Sequence, residues 1–364
     1  MKSTVRLRSD WLCLGVLVLV LFTGIQELSA TMLVVGNCKP GGYPTIQQAI
    51  DAAPLGAKVQ VCPGAYSEQI TITKALTLQA ITFNGNDHVV INPPSASLVV
   101  NAISAFGQKV AAAVLVQNSG GPVNVSGIDI NSDFIHNTTY VAGLFYQNSP
   151  GTISGVTARE QFGNGLGVGI WIEGGSAKPA VTVQNSYVFN ADHAGIFVET
   201  ENQSEPVVFA RITNNSIFAP DTPTDAGILV ASGANVTVSG NTVTSNFCAY
   251  GIWIGPGTLG TVSGNSIGLA VIGIEAQADG VSVASNQLVS IENGTGIDVQ
   301  TAAGVVKGNT IGGYSLGIEF NCKANPNVSS NTINLPFTGL DKVPSGVGTS
   351  TNKIFSALST RTGC

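Results

Sequence analysis

Apolar and polar residues alternate with period two in short bursts between Val181 and Leu340, as in Val236-Thr237-Val238-Ser239, Gly251-Ile252-Trp253-Ile254 and Gly296-Ile297-Asp298-Val299. Alternation of this kind marks strands buried on one side. The bursts recur. An Asn followed by a small or polar residue stands at Asn185, Asn215, Asn241, Asn265, Asn286, Asn309 and Asn331, in steps of 30, 26, 24, 21, 23 and 22 residues. A Gly followed by Ile or Leu comes after each: Gly195, Gly227, Gly251, Gly273, Gly296, Gly317 and Gly339. A self-similar period in this range is that of stacked repeats. Strands so short cannot bury an apolar face alone, but each can do so against the next turn of a solenoid. The pattern therefore predicts an all-β chain: a single-stranded parallel β-helix.

Equivalent residues of successive coils then lie about 4.8 Å apart. An inward Asn at one corner of every coil can pass amide hydrogen bonds up the stack, and Asn tolerates the left-handed backbone that a tight corner needs. These asparagines are expected to hold the coil together, not to bind a ligand, because buried polar groups must be paired.

The open end of a solenoid exposes apolar side chains and strand edges, so something must cover it. Thr45 is placed to cap a short helix with Gln48 three residues on. Ile46, Ala49, Ile50 and Ala53 give that helix one apolar stripe, and Pro54 stops it. The expected organisation is a cap over 31–57, the β-helix over 58–340 and a C-terminal tail over 341–364.

Residues 1–30 read as an export signal: Lys2, Arg6 and Arg8, an apolar core from Trp11 to Ile25, and a small-residue cleavage site at Leu28-Ser29-Ala30. The expected destination is outside the cell or in the periplasm, with no membrane association once the signal is removed. Three of the 15 Lys and Arg and two of the 21 Asp and Glu fall in this segment, leaving 12 and 19. An acidic chain argues against nucleic acid as a partner, and we expect a monomer. Of the remaining cysteines, Cys38 and Cys62 bracket one compact unit and Cys364 is placed to tie back to Cys322, leaving Cys248 free.

The run Gly42-Tyr43-Pro44-Thr45-Ile46-Gln47-Gln48-Ala49-Ile50-Asp51-Ala52-Ala53-Pro54, then Val59-Gln60-Val61, then Pro63-Gly64-Ala65-Tyr66-Ser67-Glu68-Gln69-Ile70, resembles the opening of the pectin-lyase-like right-handed β-helix superfamily. That opening occurs in pectin methylesterases and in many secreted β-helix repeat proteins. The repeats are similar to those of the same superfamily, including periplasmic copper-enzyme maturation proteins. The resemblance implies a right-handed coil. It does not carry an activity over, because the catalytic motifs of polygalacturonases, pectin methylesterases and pectate lyases are not recognisable in this chain.

Residues 81–180 read as looser coils of the same solenoid, with Ile128 and Val156 in place of the ladder Asn. The stretches 84–88 and 132–140 read as protruding loops of the kind that carry binding. Taking the residue after each Gly as inward, the next one points outward. Coil by coil this gives Trp171, Phe197, Leu229, Trp253, Glu275, Asp298, Glu319 and Asp341: an aromatic stripe that becomes a carboxylate stripe. Exposed, it would stack sugar rings; covered by a C-terminal strand or loop, it would be an outer packing layer. Trp171, Phe197, Trp253, Glu275, Asp298 and Glu319 are the candidate substrate contacts. Stacked acids repel one another, which water, raised pKa values or a cation such as Ca²⁺ would relieve.

A second constellation lies just before the Gly positions. Asp192, His193 and Asp225 form a candidate acid–base set, with Glu199, Arg159, Glu160 and Arg211 expected nearby. Two functions remain open. One is binding of an extracellular acidic polysaccharide, with or without its cleavage by lyase or hydrolase chemistry; the other is a non-catalytic structural or surface β-helix.

Overall fold

The computed structural model describes residues 31–83, 85, 87–94, 98–132, 139–161, 164–175, 178–200, 208–219, 226–231, 233–245, 248–291, 293–300, 304–334 and 336–364. Residues 1–30, the expected export signal, lie outside them. The chain coils as a right-handed parallel β-helix with three sheets of 12, 12 and 13 strands, called here A, B and C. Each coil contributes one strand to each. Val208–Thr213 lies in sheet A, Ser216–Ala219 in sheet B and Ala226–Val230 in sheet C. Inward residues form one continuous core along the axis, with Ile196, Ile228, Ile252, Ile274, Ile297 and Ile318 stacked at zero exposure.

The asparagine ladder forms at the corner between sheets A and B. Asn215, Asn241, Asn265, Asn286 and Asn309 each donate Nδ2–H to Oδ1 of the next rung at 2.9–3.0 Å. The backbone N–H of each donates to the same oxygen, and Nδ2 also reaches a backbone carbonyl, as from Asn265 to Val238. All four hydrogen-bonding directions of a buried amide are thus used.

Two details differ from expectation. Asn185 is not a rung; Ser186 is, its N–H donating to Asn215 Oδ1 at 3.0 Å. The ladder also runs one coil further, from Asn331 to Asn352 at 2.8 Å. The left-handed conformation falls on the residue before each rung: Asn185, Asn214, Gly240, Gly264, Ser285, Gly308 and Ser330 all have φ between 50° and 67°. The rung asparagine is kept for its amide alone.

The Gly of each Gly-Ile phrase is needed for space, not for φ. A Cβ on Gly251 would stand 2.4 Å from Ile267 Cγ2 and 2.6 Å from the Gly273 carbonyl oxygen. Sheets B and C meet too closely there for any side chain.

Helix α1, Ile46–Ala52, closes the N-terminal end, with Thr45 Oγ1 accepting from Gln48 N at 3.2 Å. Glu68, from a neighbouring turn, completes the cap by accepting from Ile46 N at 2.8 Å and Gln47 N at 3.0 Å. Cys38–Cys62 and Cys322–Cys364 are disulfides and Cys248 is free and buried. Strands continue past residue 340: Thr338–Val343 and Ser359–Gly363 extend sheet C and Lys353–Phe355 extends sheet B.

One segment leaves the coil. Residues 98–108 fold back over sheet C as a strap, and Ala102–Ile103 pairs with Lys109–Val110, the one antiparallel pairing among the described strands.

Candidate functional site

The outward register of sheet C is the expected one. Leu115, Phe145, Trp171, Phe197, Leu229, Trp253, Glu275, Asp298, Glu319 and Asp341 are successive partners along the sheet. Its exposure is not. Trp171 is fully buried and Phe197 is 6% exposed. Trp171 packs against Phe145, Phe197 and Tyr140 at centroid distances of 4.7, 5.2 and 5.3 Å. Ala102 of the strap joins this cluster. These two aromatics form an outer packing layer and present no ring to a sugar. The cover is an N-terminal strap, where a C-terminal strand or loop was expected. Trp253 is half-buried, its ring edge 2.8 Å from where a Cβ on Gly255 would stand.

A carboxyl pair lies under the strap. Glu173 and Glu199, both 3% exposed, are partners on adjacent rungs. Glu173 accepts from Ala105 N at 2.8 Å and Gln147 Nε2 at 2.7 Å, and Glu199 accepts from Trp171 Nε1 at 3.1 Å. Burial first, then the neighbouring Glu173 charge, pushes Glu199 up to about 8. The pair therefore holds a proton at neutral pH.

Further along, burial pushes Asp298 up to about 6, opposed by hydrogen bonds from Gln300 Nε2 at 2.6 and 2.7 Å and reinforced by Glu275 and Glu319. Gln277 bonds Glu275, and Lys342 Nζ lies 2.5 Å from Glu319. Repulsion in the acid stripe is thus met by amides, a raised pKa and one ammonium.

The acid–base set takes other roles. Asp192, 7% exposed, accepts from Gly165 N at 2.8 Å and Gly167 N at 2.5 Å, closing a corner. His193 stands edge-on to Tyr140 and Phe197, each at 5.6 Å. Asp225 lies outside the described residues. Arg159 and Arg211 are not beside His193: the first faces outward from sheet B and the second from sheet A.

Sheet B holds what reading sheet C alone missed. Its outward register runs Asp129, Thr157, Tyr187 and Ser216 in one row, and Asn131, Arg159, Phe189 and Phe218 in the next. Phe189 stacks on Phe218 at 5.1 Å and 17°, and lies near parallel to Tyr187 at 6.2 Å and 11°. Among the described residues no segment covers these rings as the strap covers sheet C: Tyr187 is 41% exposed and Phe189 and Phe218 half-buried. At their end, Asp129 receives Arg159 Nη2 at 2.8 Å and lies 3.4 Å from His88 Nδ1. His88, Asp129, Thr157, Arg159, Tyr187 and Phe189 line a groove of about 320 Å³. The signal for it was present: the outward positions one and three residues after each ladder place are 129 and 131, 157 and 159, 187 and 189, 216 and 218.

Coil handedness, the corner ladder and the N-terminal helix define a member of the pectin-lyase-like right-handed β-helix superfamily. Within it, the family model described as "Periplasmic copper-binding protein (NosD)" matches residues 99–293, more than half of the chain, and the chain belongs to that family. A search of curated protein sequences gave no match. Among solved structures, the chain is similar to the GH136 lacto-N-biosidase from Eubacterium ramulus, with 12% identity, a TM-score of 0.61, and coverage of 92% of this chain and 68% of that one. It is also similar to the Dettilon tailspike protein, with 13% identity, a TM-score of 0.57, and coverage of 89% and 68%. At such identities the likeness is one of fold.

The family description implies copper. Imidazole and sulfur ligands suit copper, yet among the described residues no three His, Cys, Asp or Glu side chains converge as a metal set. His88 borders sheet B while His193 opens a strand of sheet C, and His136 lies outside the described residues. The residues described do not fit a copper centre, and no chemistry is drawn through one.

Proposed function

We propose that this exported β-helix protein binds a polysaccharide, laid across the open face of sheet B. The observation that carries the reading is the uncovered aromatic row Tyr187, Phe189 and Phe218 leading into the His88–Asp129–Arg159 cluster. Flat rings on a rigid sheet stack on the apolar face of a sugar. A carboxylate and a guanidinium beside them accept from and donate to its hydroxyls. The arrangement resembles most small-molecule sites in being largely preformed, with few polar groups among apolar ones. Support of a coarser kind comes from the solved structures of similar fold, one a lacto-N-biosidase and one a tailspike protein.

Export is supported by the N-terminal charge and hydropathy pattern, the two disulfides, the periplasmic description of the family, and the lack, among the described residues, of any helix long and apolar enough to cross a membrane. Binding alone is proposed. The buried Glu173–Glu199 pair and Asp192 are engaged in structural hydrogen bonds, so no hydrolytic or lyase step is assigned.

The test is a glycan array followed by calorimetry on the Tyr187→Ala/Phe189→Ala double variant. A ligand of the wild type should bind at least about tenfold more weakly to the variant, since each stacked ring contributes about 1 kcal/mol. Undiminished affinity in a folded double variant would place the binding face elsewhere.

A further inference from the structure

Around the corner from the sheet B groove, on the same coil, sheet A presents a second opening of about 240 Å³. Its floor is Phe209 and Arg211, which both point outward from Val208–Thr213, two residues apart. Phe209 is 47% exposed and lies between Ala180 and Asn235 on the neighbouring rungs. Arg211 lies between Thr182 and Thr237. The strand then turns through Asn214 and the ladder residue Asn215 and continues as Ser216–Ala219, whose Phe218 stacks on Phe189 of the first groove; one coil earlier, Ala180–Gln184 on the wall of this opening leads into Tyr187–Ala191, which carries Tyr187 and Phe189. The two openings are thus consecutive along one coil.

They differ in charge. In the sheet B groove the guanidinium of Arg159 is matched by Asp129 at 2.8 Å. Among the described residues no acidic one lines the sheet A opening, and no carboxylate lies within ion-pair distance of Arg211. Arg211 is exposed, flanked by two hydroxyls, an amide and an open phenyl ring, and among the described residues it faces no carboxylate. This occurs in a chain with a formal charge of −6, so an anion repelled by the surface at large meets one uncompensated cation here. Guanidinium groups recognise carboxylate and sulfate oxygens through paired, planar hydrogen bonds.

We propose that Phe209 and Arg211 form a second subsite that takes an acidic sugar unit, its ring on Phe209 and its carboxylate or sulfate ester on Arg211. This rests on the reading of sheet B as the main glycan face and extends it around the Asn214–Asn215 corner. A glycan bound here would be neutral where it crosses sheet B and charged where it reaches sheet A.

The experiment compares three probes: an oligogalacturonate, the same chain with its carboxyl groups reduced, and a sulfated galactan oligomer. Each is titrated against wild type, Arg211→Gln, Phe209→Ala and Phe189→Ala. Wild type should bind at least one anionic chain about fivefold more tightly than the reduced chain at low salt, the scale of one exposed charge pair. That preference should vanish in Arg211→Gln and fade near 1 M salt, while affinity for the reduced chain is unchanged. Whichever anion shows the larger preference identifies the group, carboxylate or sulfate. Phe209→Ala should weaken charged and reduced chains alike while leaving the charge preference in place, and Phe189→Ala should weaken all three.

A preference that persists in Arg211→Gln, or equal binding of charged and reduced chains by wild type, overturns the subsite and leaves the sheet B reading intact. Unchanged affinity of the reduced chain for Phe189→Ala overturns the sheet B reading, whatever Arg211→Gln does. If no chain binds wild type, both fall.

Discussion

Two faces of one solenoid carry the same device to opposite ends. On sheet C, Phe145, Trp171 and Phe197 stack on consecutive rungs; on sheet B, Phe189 and Phe218 do the same. Ring distances are alike, between 4.7 and 5.2 Å. The first row is core because residues 98–108 lie over it, and the second is surface because nothing among the described residues does. Aromatic stacking along a β-helix therefore says how rungs pack, not what the rings are for. The covering segment decides that.

The comparison breaks most visibly by truncation. Trp171→Ala should lower unfolding stability by about 3–5 kcal/mol, the range for emptying a buried aromatic site. Phe189→Ala, on the open face, should cost under about 1 kcal/mol. Denaturant titration of both variants measures the contrast. Equal losses would mean that sheet B is covered as well.

A smaller effect is expected at the ladder corner, where sheet B meets sheet A. Asn265→Ala leaves the Val238 carbonyl and the Asn241 N–H without their partner. A loss of about 2–3 kcal/mol should follow, read by the same titration. Val at this position is no remedy, because the rung needs both a donor and an acceptor.

A last effect depends on pH and sharpens the covered face alone. Glu199 titrates near 8 in the folded protein and near 4.5 when unfolded. Between those values the folded state keeps a proton that the unfolded chain releases. Stability must therefore fall as pH rises from about 4.5 to about 8, and level off above. Glu199→Gln keeps the neutral form and should flatten that part of the profile. An unaltered slope in this variant would assign the pH dependence to another group.

Much was legible before the coordinates. Period-two alternation, the Asn steps and the Gly-Ile phrases determined the coil, its register and even the order of outward residues from Trp171 to Asp341, because side-chain direction in a strand follows from parity alone. Both disulfides followed from spacing at the two ends of the solenoid. Asn185 was misplaced by one residue because Asn serves equally well as a rung and as the left-handed residue before it; only the hydrogen bond from Ser186 to Asn215 separates the two.

Tertiary structure alone decided burial. Parity places Trp171 and Phe189 outward on equal terms, and nothing local to either distinguishes them. The difference is made by Ala102 and Ala105, about seventy residues before Trp171 and Glu173 in the chain, which reach the face only once the strap folds back. Likewise Arg159, Asp129 and His88 meet because coils of unequal length bring residues 30 and more apart into adjacent rungs. A sequence specifies which side of a strand each residue takes; which sides are left open is a property of the whole chain.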